Sequence, residues 1–176
     1  MGEDVCMKKI VMLLCLAVLS APAFAGVGAF KLSLWDKAAI AIPNHIDHVR
    51  GLDLGLGSTA DTMYGLQFDV LFANTQDKMI GASHALLDIA GEVRGVQGGL
   101  YTKANNVKGV QWGGISITEG ELAGLQWGIY NQADVVKGVQ LGLVNYAKNI
   151  EGLQIGLVNI AENGVFPAMI LLNGRF

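Results

Sequence analysis

The chain has 176 residues, of which 52% are hydrophobic and only 15% charged, with a formal net charge of −3. That length allows one domain with a core, and the composition is apolar for a soluble protein of this size, so part of the surface must be removed, covered or dissolved. The mild acidity and the absence of a basic run argue against nucleic acid as a partner.

The first apolar element is a targeting segment. Met7-Lys8-Lys9 opens the run "IVMLLCLAVL" from Ile10 to Leu19, and "SAPAFA" ends at Ala25. A basic start, a ten-residue apolar stretch and an Ala-x-Ala site describe a secretory signal peptide over 1–25, too short and wrongly flanked for a transmembrane helix. Met7 is a second candidate start, because "MGEDVC" puts two acids ahead of a region that should be basic. Cys6 and Cys15 both precede the expected cut, so the single domain expected over 26–176 contains no cysteine, and disulfide or thiolate chemistry is closed to it. Lys8 and Lys9 balance Glu3 and Asp4, which leaves the mature chain at −3 as well.

An opening strand is expected near 29–43, where Phe30, Leu32 and Leu34 alternate with polar or small neighbours. "HIDH" follows and sets His45, Asp47 and His48 close together. On a strand the two histidines face opposite sides, and no third imidazole or thiolate is near in sequence, so a solvated loop is expected and no metal.

From Gly51 to residue 165 the chain repeats. Eight opening glycines, Gly51, Gly65, Gly81, Gly95, Gly109, Gly124, Gly138 and Gly152, are spaced 14, 16, 14, 14, 15, 14 and 14 residues apart. The later units follow G-[VL]-Q-x-G-x-x-N-x-A-x-x-[VI]-x, which signals a repeat architecture and is silent about chemistry. Within a unit the period is two. Leu153, Ile155 and Leu157 occupy one face, as do Val139, Leu141, Leu143 and Leu125, Trp127, Ile129, while Gln154, Gly156 and their counterparts occupy the other. A helix would scatter these sets and would lose about 2 kcal/mol to two glycines in seven residues, so the units are strands. The segments between them, such as "NYAKNIE" and "NQADVVK", collect Asn, Asp and Lys and are expected to be turns. Asn131, Asn145 and Asn159 are expected to satisfy backbone groups there. Gln97, Gln111, Gln126, Gln140 and Gln154 form either a hydrogen-bonded structural row or a polar face that meets a ligand. Asp53 and Asp69 are the exceptions that put charge on the small face.

The terminal segment 166–176, "FPAMILLNGRF", alternates again and ends on Phe176, in the manner of the last strand by which outer-membrane barrels are recognised for insertion. The core "GLQIGLVN" with its "NxAxxVxG" linkers, the opening "LSLW" with "AIAIPN", and this ending together resemble a family of bacterial surface repeat-containing proteins. The resemblance runs from about Leu32 to Phe176 and implies an exported protein of the surface or outer membrane, with no activity to carry over. The chain departs from the pattern at Gly81 to Asp88, and at Gly98 and Gly114, which stand where large side chains are usual.

Two all-β architectures fit. In an antiparallel up-and-down barrel of about ten strands each unit is one membrane strand, with Gln and Gly in a narrow lumen and the large face toward lipid. Trp112 and Trp127, which share one repeat position, would then be interfacial or lipid-facing aromatics, and the partners would be outer-membrane lipid and the insertion machinery. In a parallel solenoid each unit is one coil, the large face packs inward, and a soluble module meets a glycan or protein. The barrel is the preferred expectation. Sequence motifs of the P-loop, dinucleotide and serine-nucleophile kinds are absent, so a non-catalytic protein without a cofactor is expected.

Overall fold

The computed structural model describes residues 26–36, 38–42 and 46–176, and the segment 1–25 expected to be a signal peptide, both cysteines and His45 lie outside them. Among the described residues the chain is all-β. Strand β1 is Gly26–Trp35, β2 is Ala38–Ile42, β3 is a long extended segment Ile46–Ala161, and β4 is Ala168–Arg175, in the sheet order β2-β1-β3-β4. The expected opening strand is therefore two. Asp36, at φ 54°, reverses the chain so that β2 pairs back antiparallel on β1.

β1 lies parallel to the start of β3, with Lys31 opposite Asp53 and Leu32 opposite Leu54. β4 lies antiparallel on the end of β3, with Leu172 opposite Ile155. A short reversal through Gly164 joins them, closed by hydrogen bonds from Ala161 N to Pro167 O at 2.9 Å and from Gly164 N to Ala161 O at 3.0 Å.

β3 has 116 residues and touches itself throughout. A Cβ built on Gly138 would lie 2.0 Å from Gly124 O, and one on Gly152 2.0 Å from Gly138 O. Gln140 Nε2 donates to Gln126 Oε1 at 2.7 Å, and Asn145 Nδ2 to Asn159 Oδ1 at 2.8 Å. Seven of the eight opening glycines, Gly51 to Gly138, have φ between 130° and 150°, a region essentially closed to residues with a Cβ. At Gly138 the missing Cβ is what lets the neighbouring carbonyl approach.

The interior is made of the smaller face. Two residues before each opening glycine stand Val49, Met63, Met79, Val93, Val107, Leu122, Val136 and Ile150, all buried. Ala60, Ala90, Ala104, Ala133, Ala147 and Ala161 form a second buried row. The linkers expected to be turns are extended, with Asn145, Ala147 and Ile150 inward and Lys148 and Asn149 outward. They form the second wall of the molecule. Small and β-branched side chains alternate there with charge, as a half-buried strand requires.

Candidate functional surface

The glutamines lie in the interior, so they offer no polar face to a ligand. Gln97, Gln111, Gln126, Gln140 and Gln154 are fully buried. Each amide donates to the preceding glutamine: Gln111 to Gln97 at 3.0 Å, Gln126 to Gln111 at 2.9 Å, Gln154 to Gln140 at 2.8 Å. The row continues through Gln97 Nε2 to Asp88 Oδ1 at 2.9 Å. A beginning-to-end amide chain of this kind satisfies buried polar groups that would otherwise cost about 1–3 kcal/mol each. The asparagines make a second row, Asn131 to Asn145 to Asn159, and also bond backbone oxygens of the neighbouring unit, such as Asn131 Nδ2 to Leu141 O at 2.8 Å. Gly142 leaves the room this needs, since a Cβ there would lie 2.4 Å from Asn131 Nδ2.

At the amino-terminal end the interior becomes ionic. Lys31 Nζ, 1% exposed, donates to Ser58 Oγ at 2.9 Å and Thr59 O at 2.7 Å and lies 3.8 Å from Asp53. Asp53 also accepts from Ser33 at 2.7 Å and from Ser58 at 2.5 Å. Asp69 accepts from Gln67 at 3.0 Å through one oxygen, while the other has no hydrogen-bond partner. Burial, and next the negative charge of Asp53, push the Asp69 carboxyl up to about 7. Burial raises Asp88 to about 6 against the hydrogen bonds it receives. Burial also lowers Lys31, with Asp53 opposing. The period-two pattern had already set Asp53 and Asp69 on the small face; the pairing of Asp53 with Lys31 needed the parallel register of β1 on β3.

With the small face inward, the large face is the outer one, the reverse of the orientation expected for a solenoid core. Positions one, three and five after the eight glycines are none of them buried, apart from Gly98, which lies under Trp112. His84 is the one ionisable side chain among those positions. Trp112 is 40% exposed and Trp127 61%. Leu32 and Leu34 of β1 continue this wall at one end and Leu172 of β4 at the other, because paired residues point to the same side of a sheet. Phe176 stands beyond β4, fully exposed. The physical reason for the reversal is space. Stacked amides, alanines and the buried row from Val49 to Ile150 already fill the interior, which leaves no room there for a further face of Leu, Trp and Phe.

One cleft interrupts the wall. Gly114 withdraws a side chain, the Trp112 ring covers Gly98 and stacks on His84 with centroids 5.1 Å apart and planes 9° from parallel, and Leu100, Trp127 and Ile129 rise around the space. Its volume is about 520 Å³. The opposite wall is charged and self-paired. Lys78–Glu92, Lys103–Glu119, Lys137–Glu121 and Lys148–Asp134 join neighbouring units at 2.7 to 3.1 Å, and these contacts raise Lys103, Lys137 and Lys148. His48 bonds Thr62 Oγ1 at 2.8 Å. Among the described residues no group of three or more His, Cys, Asp and Glu is arranged to hold a metal. No family model matches the chain, and neither the curated proteins nor the solved structures contain a match to it.

Proposed function

We propose that this chain is an exported, non-catalytic β-repeat protein of a bacterial outer membrane or cell surface, built as a parallel β-solenoid, whose apolar wall binds a partner. The architecture is inferred from how contacting residue numbers relate. In an antiparallel pair they sum to a constant; in a parallel pair their difference is constant. Here Gly95 meets Gly109 and Gln97 meets Gln111, both fourteen apart, and Gly138 meets Gly124 as Gln140 meets Gln126. That relation fits stacked coils better than up-and-down hairpins.

The functional reading rests on one observation, the open apolar wall backed by an interior of stacked glutamine and asparagine rows. Exposed apolar patches on ordinary monomers reach a few hundred Å², and this one spans every unit. An exported protein keeps such a surface for contact. The membrane or cell-surface location is inferred from the signal-peptide pattern and the resemblance to surface repeat proteins.

Fractionation of cells expressing the full chain tests the reading. The expected result is cleavage after Ala25, export, recovery with the envelope or cell surface, and a gel mobility that boiling leaves unchanged. Carbonate-resistant membrane retention with a heat-dependent shift would instead identify a closed antiparallel barrel and overturn the solenoid. Retention of the uncleaved chain in the cytoplasm would overturn the location.

A further inference from the structure

We propose that the apolar wall is the interface of a face-to-face dimer of this chain; the proposal rests on the solenoid reading and names the partner of its open wall. Size is the first argument. Eight units at about 4.8 Å per strand, by six residues at about 3.3 Å, give a wall of roughly 750 Å² in projection. A stable interface takes about 800 Å² from each partner. The wall is therefore as large as one dimer interface.

Shape is the second argument. A two-fold contact uses the same patch on both copies, so a projection and the hollow that receives it must occur together. Leu100 is 65% exposed and Trp127 and Ile129 are each 61% exposed, the most prominent side chains of the wall. They border the hollow beside Gly113 and Gly114. Two copies facing each other at the roughly 10 Å separation of packed sheets can seat these projections in each other's clefts.

Charge is the third. A protein of net charge −3 repels its copy unless the meeting surfaces are neutral, and the wall carries no Asp, Glu, Lys or Arg at its outward positions. A lipid surface is the competing occupant. It would be favoured by a row of free cations along the wall's edge, but three of the four cations that immediately precede opening glycines are engaged, Arg50 at 5.5 Å from the Tyr64 ring centroid, Arg94 by Glu92 at 2.8 Å and Lys137 by Glu121 at 2.7 Å. The lipid surface has no use for a cleft bordered by its own matching projections.

The test is sedimentation equilibrium of the exported, purified protein between 1 and 50 µM, with Trp127→Ala and Ile129→Glu alongside. Both positions point outward, and far-ultraviolet circular dichroism checks that each variant keeps its strand content. The expected result is twice the chain mass for the wild type, association weakened at least tenfold by Trp127→Ala, and a monomer for Ile129→Glu. A monodisperse wild-type monomer at 50 µM would overturn the dimer, as would open-ended aggregation or a monomer that floats with phosphatidylcholine vesicles. Failure of the solenoid reading is distinct, because a heat-modifiable barrel would appear on the gel before any sedimentation run.

Discussion

Gln126→Leu should destabilise the protein by about 2–4 kcal/mol. Gln126 Nε2 serves Gln111 Oε1, Ser116 O and Gln132 O at 2.9, 2.9 and 3.1 Å, and its carbonyl accepts from Gln140 at 2.7 Å. Leu has a similar volume, so the loss is in hydrogen bonding. Gln111 Oε1 keeps Thr118 at 3.0 Å and Gln140 keeps Tyr146 O at 3.3 Å, which limits the damage. Two N–H donors and one carbonyl at about 1 kcal/mol each give about 3 kcal/mol. For a chain of this length that lowers Tm by about 6–12 °C, followed by circular dichroism. The sharper assay is a double-mutant cycle with Gln140→Leu. The shared bond should give a coupling of about 1 kcal/mol, whereas Gln126→Leu with Gln67→Leu should be additive within about 0.5 kcal/mol. A Gln126–Gln140 coupling no larger than that control would refute the stacked amide row and the parallel register with it.

Gly138→Ala should cost about 3 kcal/mol or more in urea unfolding, because φ is +148° and the new Cβ would lie 2.0 Å from Gly124 O. Asp69 gives a pH dependence. Its folded pKa of about 7 lies above the unfolded value near 3.8, so the folded state holds the proton more tightly. Stability from this site is complete below about pH 3.8 and falls by up to about 4 kcal/mol as pH rises to about 7. Asp69→Asn should flatten that slope and stabilise the protein at pH 8, measured by urea titration across the range; an unchanged slope would contradict the assignment. Lys148→Ala, at an exposed pair, should leave the urea midpoint almost unchanged, and any small shift should vanish in 1 M salt.

Strand character was legible because period two is a local property: Gln126, Trp127 and Gly128 alternate sides in any extended chain. The break at Asp36 was less legible, since apolar residues stand on both sides of Asp36-Lys37 and only the pairing of β2 on β1 divides them. The linkers misled for a related reason. Asn and Lys suit turns, yet in "NYAKNIE" Lys148 and Asn149 share a strand with Asn145, Ala147 and Ile150, whose burial depends on neighbours fourteen residues away.

The amino-acid sequence by itself determined that the chain is extended, that each unit has a large face and a small one, and that glycine opens each unit. Which face lies inside was decided only in three dimensions. Alternation separates two faces without ranking them, and hydrophobicity alone puts Leu, Trp and Ile inward. Burying Gln and Asn instead costs little when each amide meets the one in the next unit, and the glycines of the small face, such as Gly142, leave the amides room. Both conditions arise from contacts between units, so no single unit of the sequence contains them.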